Sequence, residues 1–144
     1  MIKMAKKYVI DTCIWRDFYE NRFSFSGKPL GKYATDLFMK ILKNKDTILF
    51  SIGLVWELKR DYEEKEINDM LNLLVMNKIL VKIEITKEEH EEAKKLAQER
   101  DIPFIDSLNA IHARNHKAIM VSQDLHFFKD LSDIVKPVKP EQIS

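Results

Sequence analysis

Two aspartates come after short apolar runs that are typical of buried strands. Asp11 directly follows Tyr8-Val9-Ile10, and Asp124 follows Ala118-Ile119-Met120-Val121 after a hydroxyl residue, Ser122, and an amide. In open parallel sheets, ligands bind beyond the carboxyl ends of the strands. We therefore expect Asp11 and Asp124 to be neighbours at such an edge. Taken singly, either aspartate could instead cap the helix that follows it, because aspartate is a favoured N-cap residue.

Two further acids lie on helical segments among apolar neighbours. Glu57 lies within Ile52-Gly53-Leu54-Val55-Trp56-Glu57-Leu58, and Asp106 follows Pro103-Phe104-Ile105. Taken singly, Glu57 could be a boundary residue, and Asp106 an early-helix acid favoured by the helix dipole. Four carboxylates at one edge would repel one another, so a hard cation with oxygen ligands is the natural compensation. Mg²⁺ or Mn²⁺ fits this donor set, whereas metals that prefer thiolates do not.

Other reactive side chains support other chemistries less well. His112 and His116 are four residues apart, but the glutamate of a zinc-protease helix does not lie between them, which indicates surface or half-buried histidines. Cys13 has no evident base to activate it, which indicates a small core residue. A phosphatase with an aspartate nucleophile would carry a second aspartate two residues after Asp11, where this chain has Cys13. That phosphatase remains an alternative.

Strand-like and helix-like segments alternate along the chain and would position these acids. The predicted strands are 7–10, 47–50, 80–85 and 118–121, with an edge strand near 134–138. The predicted helices are 12–23, 32–44, one capped by Ser51, 64–77, one opened by the capping box Thr86-Lys87-Glu88-Glu89, 104–116, and a short aromatic helix after Asp124. Helical crossovers imply parallel pairing, so we expect an α/β fold, a three-layer α/β/α sandwich with a central, mostly parallel sheet of four to five strands. Glu91 is expected to pair with Lys95 on a solvated helix face.

Composition sets broad limits on the class of protein. The 144 residues fit one domain over 1–144, with 45% apolar and 33% charged residues. The single cysteine, Cys13, fits a reducing compartment, and no apolar run reaches membrane-spanning length, so we expect a cytoplasmic protein without a membrane contact. A formal net charge of +1 excludes a strongly basic nucleic-acid surface.

Four motifs together resemble a known family. VIDTCIW, SIGLVWEL, PFIDSLNAIHA and IMVSQDLHFF, which span residues 8–128, resemble the motifs of PIN domains, and most closely those of VapC-type ribonuclease toxins. The resemblance implies that Asp11, Glu57, Asp106 and Asp124 are the catalytic, metal-binding acids. Thr12, Ser122 and Asn109 would then orient those carboxylates without binding the metal themselves. Cys13 departs from the pattern, since relatives more often carry serine or asparagine there.

The resemblance also implies an activity. We expect an endoribonuclease that uses one or two Mg²⁺ or Mn²⁺ ions to hydrolyse RNA phosphodiester bonds, as the toxin of a toxin–antitoxin pair. A non-catalytic PIN-like module that binds RNA or protein, and a housekeeping RNA-processing nuclease, remain alternatives. Contacts to RNA phosphates are expected from a set of cations, although any one of them taken alone is better explained as a solubilising surface charge: Arg16, Lys59, Arg60, Arg114 and Lys117.

The expected partners follow from the resemblance and from an excess of aromatic residues. Relatives commonly form homodimers and are inhibited by a segment of a small antitoxin protein. The first two helical stretches and their loop carry Phe18, Tyr19, Phe23, Phe25, Tyr33 and Phe38. Some of these rings are expected in an interface and the others in the core.

Overall fold

A parallel sheet of four strands forms the centre of the molecule. The computed structural model describes residues 5–143, and its sheet has the strand order β3-β2-β1-β4. The strands are β1 (Lys7–Ile10), β2 (Thr47–Phe50), β3 (Leu80–Lys82) and β4 (Ile119–Val121). Because β1 pairs with β2 on one side and β4 on the other, the carboxyl ends of β1 and β4 are adjacent. The predicted α/β sandwich with a parallel sheet is confirmed.

Helices connect the strands and cover both faces of the sheet. They are α1 (Thr12–Glu20), α2 (Leu30–Asn44), α3 (Ile52–Leu58), α4 (Glu64–Met76), α5 (Lys87–Arg100), α6 (Phe104–Asn115) and α7 (Leu125–Asp130), followed by a 3₁₀ turn at Pro140–Gln142. Thr86 opens α5 with the predicted capping box. Within residues 5–143, none of the helices combines the length and apolarity needed to cross a membrane.

Two apolar clusters, one on each side of the sheet, hold the layers together. On one side Trp15 of α1 stacks against Phe38 of α2 with ring centroids 4.7 Å apart, and Ile10 belongs to the same cluster. On the other side Val9 packs with residues of α5 and α6, including Leu108. Successive residues of β1 therefore face opposite clusters, as expected for a parallel strand that is covered on both faces.

Several elements are shorter than predicted, for local reasons. The predicted strand 80–85 ends at Lys82, because Lys82 pairs with Phe50, the last residue of β2, and β2 offers no partner beyond it. The first helix ends at Glu20 rather than near Phe23, because Asn21 adopts the left-handed conformation that asparagine tolerates.

Two further predictions need correction. The edge strand predicted near 134–138 is reduced to one parallel bridge between Val138 and Val121. Pro137 directly precedes it and has no backbone N–H for a ladder. The predicted Glu91–Lys95 pair is not formed either; the Lys95 ammonium lies 3.9 Å from Glu99 in the next turn of α5. An exposed lysine can reach either carboxylate, since both are four residues away.

Candidate active site

Asp11 is the buried centre of the site. It follows β1 as the N-cap of α1, and the backbone N–H of Thr12 donates to its Oδ1 over 2.8 Å. The Ser122 hydroxyl donates to its Oδ2 over 2.7 Å. Ser122 is adjacent because Ile10 pairs with Val121, the residue before it. The cap and the site are therefore the same carboxylate, and the two interpretations of Asp11 do not compete.

Asp124 is joined to Asp11 through Ser122. The Ser122 oxygen accepts from the backbone N–H of Asp124 over 3.0 Å while its own hydrogen goes to Asp11. Asp124 also caps α7, since its carboxylate accepts from the backbone N–H of His126 over 2.9 Å. The prediction that Asp11 and Asp124 follow neighbouring strands is borne out by the sheet order.

Glu57 is tied to Asp11 through a single residue. The Thr12 hydroxyl donates to Glu57 Oε1 over 2.8 Å, while the Thr12 backbone N–H holds Asp11. Gly53, one turn before Glu57, allows α3 to lie close to α6: a Cβ there would stand 3.0 Å from Ile105. A side chain at this position would require the end of the Ile105 side chain to shift by a few tenths of an ångström.

Asp106 and Asp124 line one cavity beside these contacts. The cavity has a volume of about 260 Å³, and its other lining residues are Asp101, Ile102, Pro103, His126 and Asp130. His126 and Asp130 were not predicted as part of the site. His126 could have been found from its place two residues after Asp124, the spacing at which a capping aspartate binds a backbone N–H.

The charges of the four acids act on one another. Burial raises the pKa of Asp11 to about 6; the charges of Glu57 and Asp124 add to this, and the hydrogen bonds from Ser122 and Thr12 oppose it. Burial also raises the pKa of Asp106 to about 8, and the charges of Asp11, Glu57 and Asp124 raise it further. The sheet edge thus concentrates negative charge that protons partly neutralise.

The donor set fits a hard divalent cation. All four acids offer carboxylate oxygens, the ligands that Mg²⁺ and Mn²⁺ prefer. Among residues 5–143, no three His, Cys, Asp or Glu side chains already stand together closely enough to hold a metal ion. Mg²⁺ does not need such a cage, because it usually keeps several waters and binds through one or two carboxylates together with substrate phosphates.

Asn109 and Cys13 flank the acids. Asn109 is buried one turn after Asp106 on α6. The Cys13 sulfur lies 3.6 Å from Asp11 Oδ2 and 3.8 Å from Ser122 Oγ. Burial raises the pKa of this thiol, as does the nearby charge of Asp11. Cys13 is thus a neutral neighbour of Asp11 rather than an activated nucleophile.

The predicted phosphate-binding cations divide into two groups. Lys59 and Arg60 are exposed just after α3, and Arg16 binds the Glu57 carbonyl oxygen over 3.3 Å. Arg16 also pairs with Asp61 over 2.8 Å. These three cations lie on the side of the site formed by α1 and α3.

The other two cations lie far from the acids. Arg114 is eight residues beyond Asp106 on α6, about 12 Å along the helix, and forms two bonds of 2.7 Å with Glu92. Lys117 precedes β4, at the opposite edge of the sheet from Asp124. The structure does not bring Arg114 or Lys117 to the site, because α6 leads away from it.

His112 is more buried than predicted, whereas His116 is half-buried, as predicted. His112 has 1% of its side chain exposed, and its Nε2 lies 3.4 Å from Glu89, an acid of α5 that accepts a hydrogen bond from Asn115. The His116 ring lies 6.0 Å from that of His112. Burial lowers the pKa of His112. The pair belongs to the α5–α6 contact and not to the acid site.

Comparison with known proteins identifies similar structures and the family. The solved structures that the chain resembles include VapBC2 from Rickettsia felis bound to a promoter DNA fragment (TM-score 0.59, 19% identity, 92% of this chain and 96% of that one). A toxin–antitoxin complex from Klebsiella pneumoniae has a TM-score of 0.59 and 19% identity, and the match covers 94% of this chain and 99% of that one. PAE2754 from Pyrobaculum aerophilum has a TM-score of 0.55 and 18% identity, and the match covers 96% of this chain and 93% of that one. No curated protein matches the chain. The PIN domain family model matches residues 8–133, and the chain belongs to the PIN domain family.

Proposed function

We propose that the chain is a divalent-metal-dependent endoribonuclease that hydrolyses RNA phosphodiester bonds, and that it is the toxin of a toxin–antitoxin pair. The observation that carries the proposal is the convergence of four acids at the carboxyl edge of the sheet: Thr12 joins Asp11 to Glu57, Ser122 joins Asp11 to Asp124, and Asp106 lines a cavity with Asp124. Burying acids that repel one another costs stability unless a ligand compensates. Proteins of the PIN domain family are nucleases, which supports the same reaction class.

The four acids would hold one or two Mg²⁺ or Mn²⁺ ions. A divalent ion in such a site polarises the phosphate, lowers the pKa of water and stabilises the departing oxygen. Asp11 is already oriented by Ser122 and Thr12, so little reorganisation is needed for its carboxylate to bind. Glu57 uses Oε1 to accept from Thr12, which leaves Oε2 to orient the attacking water.

The predicted cations on α1 and just after α3 would position the RNA backbone. Lys59 and Arg60 are exposed directly after α3, which carries Glu57. Arg16 holds the Glu57 carbonyl and Asp61, and a phosphate could compete with Asp61 for its guanidinium. Such contacts fix the register of the substrate without reading its sequence.

The proposed partners are an antitoxin and a second copy of the chain. Two of the similar solved structures are described as VapBC2 and as a toxin–antitoxin complex, which supports an antitoxin partner. Phe23 and Phe25, in the loop between α1 and α2, are 64% and fully exposed. Exposed phenylalanines of this kind are suited to an interface. We place the protein in the cytoplasm, where its lone Cys13 would stay reduced.

The activity is tested by incubating the purified chain with single-stranded RNA and Mn²⁺ or Mg²⁺, with EDTA in a parallel reaction. We expect cleavage products with either ion and intact RNA in EDTA, on a panel that includes structured RNAs such as transfer RNA. If the protein binds Mn²⁺ by calorimetry but leaves every RNA in the panel intact, the proposal fails and a non-catalytic module is favoured. Cleavage that persists in EDTA would also contradict it.

A further inference from the structure

A second cavity lies on the other side of the first turn of α6 from the acids. It has a volume of about 390 Å³ and is lined by His90, Lys94, Ala97, Gln98 and Phe104. His90, Lys94 and Gln98 are exposed, whereas Phe104 is half-buried at the start of α6. The cavity therefore combines a fixed aromatic ring with a cation and an amide that can reach solvent.

The two cavities meet at neighbouring residues of the chain. Pro103 and Asp106 line the acidic cavity, and Phe104 lines the second one. Phe104 and Asp106 are two residues apart on a helix, so their side chains point roughly 200° apart around its axis. A single-stranded polymer whose phosphate lies at Asp106 could cross Pro103 and place its next unit against Phe104.

The lining of the second cavity suits a nucleobase. The rings of Phe104 and His90 lie 5.1 Å apart and are tilted by 56°, which makes an aromatic wall. Bases stack on such rings whatever their sequence. The Gln98 amide can donate to and accept from a base edge, and Lys94 forms no ion pair within residues 5–143, so its ammonium can meet a phosphate.

We infer that this cavity is a subsite for a base of single-stranded RNA next to the cleaved phosphate, with the base stacked on Phe104 and an adjoining phosphate bound by Lys94. The inference rests on the proposed function, because it takes the ligand at the acids to be RNA. The subsite would fix the position of the strand relative to the acids while tolerating different bases at that point.

The stacking contact is tested with two substitutions at one position. Binding of a short single-stranded RNA is measured with Mg²⁺ in an Asp11→Asn background, so that turnover does not interfere. Phe104→Leu removes the ring and Phe104→Tyr keeps it. We expect Phe104→Leu to weaken binding roughly five- to hundredfold, the range for loss of one stacked base, and Phe104→Tyr to bind within about twofold of the background protein. Equal binding by the two variants would overturn the subsite.

Two neighbouring lysines on the surface of α5 provide a second test, which does not disturb the core. Lys94 lines the cavity, whereas Lys95, the next residue of α5, lies beside Glu99. Lys94→Gln should weaken RNA binding and reduce its salt dependence by about one phosphate contact, and Lys95→Gln should change neither. If the two variants behave alike, the cavity does not hold the RNA strand. This comparison tests whether the cavity binds RNA even if the Phe104→Leu variant is poorly folded.

A base-free ligand separates the subsite from a general attraction to phosphate. Phe104→Leu should weaken binding of the RNA but leave binding of ribose 5-phosphate unchanged, because only the RNA carries a base to stack. A similar loss for both ligands would overturn the base subsite. The proposed activity is judged separately, by RNA cleavage with the unmodified chain. Cleavage together with equal binding by the two Phe104 variants would remove the subsite and keep the nuclease.

Discussion

The Thr12 hydroxyl donates a hydrogen bond of 2.8 Å to Glu57 Oε1, while the backbone N–H of the same residue holds Asp11. One threonine thus fixes two of the four acids, the N-cap residue of α1 and a residue of α3. This contact matters because a carboxylate that is oriented in advance binds a metal with less loss of freedom.

Replacing Thr12 with valine keeps its shape and removes the hydroxyl, so Glu57 loses its partner. We expect Thr12→Val to lower Mn²⁺ affinity by about 10- to 100-fold, as is typical when an outer partner of a metal ligand is lost. Thr12→Ser retains the donor and should bind nearly as tightly as the parent. Calorimetric titration with Mn²⁺ makes the comparison, and equal affinities for the valine and serine variants would show that Thr12 does not orient Glu57.

Metal-free protein should lose stability as the pH rises. The pKa values of Asp11 and Asp106 rise from an ordinary 3.8 to about 6 and about 8, so the folded chain binds more protons than the unfolded chain between those values. Since proton release then accompanies unfolding, the free energy of unfolding falls from about pH 4 through pH 8. Asp17, raised by burial to about 6, adds to the lower part of this range.

The variant Asp106→Asn isolates the upper part of this pH dependence. For this variant, the free energy of unfolding should decrease much less between about pH 6 and 8 than it does for the parent. The decrease at lower pH that is due to Asp11 and Asp17 should remain. Urea denaturation in EDTA at several pH values measures the effect. A parent protein whose stability rises over this range would contradict the account.

Divalent ions should stabilise the fold through the acids. At a hundredfold excess over Kd, an ion that binds only the folded state adds about 2.7 kcal/mol, which raises Tm. The rise should be smaller for Asp124→Asn, which loses one carboxylate. In EDTA that variant should be no less stable than the parent, because asparagine also caps helices and can still accept from the His126 N–H. A Tm indifferent to both ions would mean that the acids are not a metal site.

Phe25 and Phe38 should respond oppositely to substitution with alanine. Phe38 is buried between Trp15 and Phe18, with ring centroids 4.7 and 4.9 Å away, so Phe38→Ala should cost about 3–5 kcal/mol of unfolding free energy. Phe25 is fully exposed, so Phe25→Ala should change that energy by less than about 0.5 kcal/mol. Phe25→Ala should weaken self-association or antitoxin binding, measured by sedimentation at several concentrations. If the parent is always a monomer and antitoxin binding is unchanged, the loop is not an interface.

The parts of the site that depend on strand order could be predicted from the sequence. Asp11 and Asp124 each follow an apolar run, and parallel pairing of those runs brings Ser122 to Asp11. The apolar runs mark the strands, and the helices that connect them indicate that the strands run parallel. Glu57 and Asp106 also stand out in the sequence, as acids among apolar neighbours on helical segments, and the family resemblance implies that they belong to the same site.

Contacts that depend on helix packing could not be predicted in this way. The bond from Thr12 to Glu57 requires α1 to lie close to α3, two helices that are far apart in the sequence. The pairing of Arg114 with Glu92 depends on how α5 lies against α6, and it explains why a cation predicted near the RNA is engaged elsewhere. Side-chain partners across separate helices leave no periodic trace in the sequence.

Cleavage of RNA by matched charge variants tests the central claim most directly. Asp11→Asn keeps the size of the buried side chain and removes its charge, whereas Glu91→Gln makes the same change on an exposed face of α5. With Mn²⁺ and an RNA that the parent cuts, we expect Asp11→Asn to abolish cleavage while remaining folded, and Glu91→Gln to cut at the parent's rate. Cleavage by Asp11→Asn at the rate of Glu91→Gln, or equal losses from both, would contradict the assignment of the four acids as the active site.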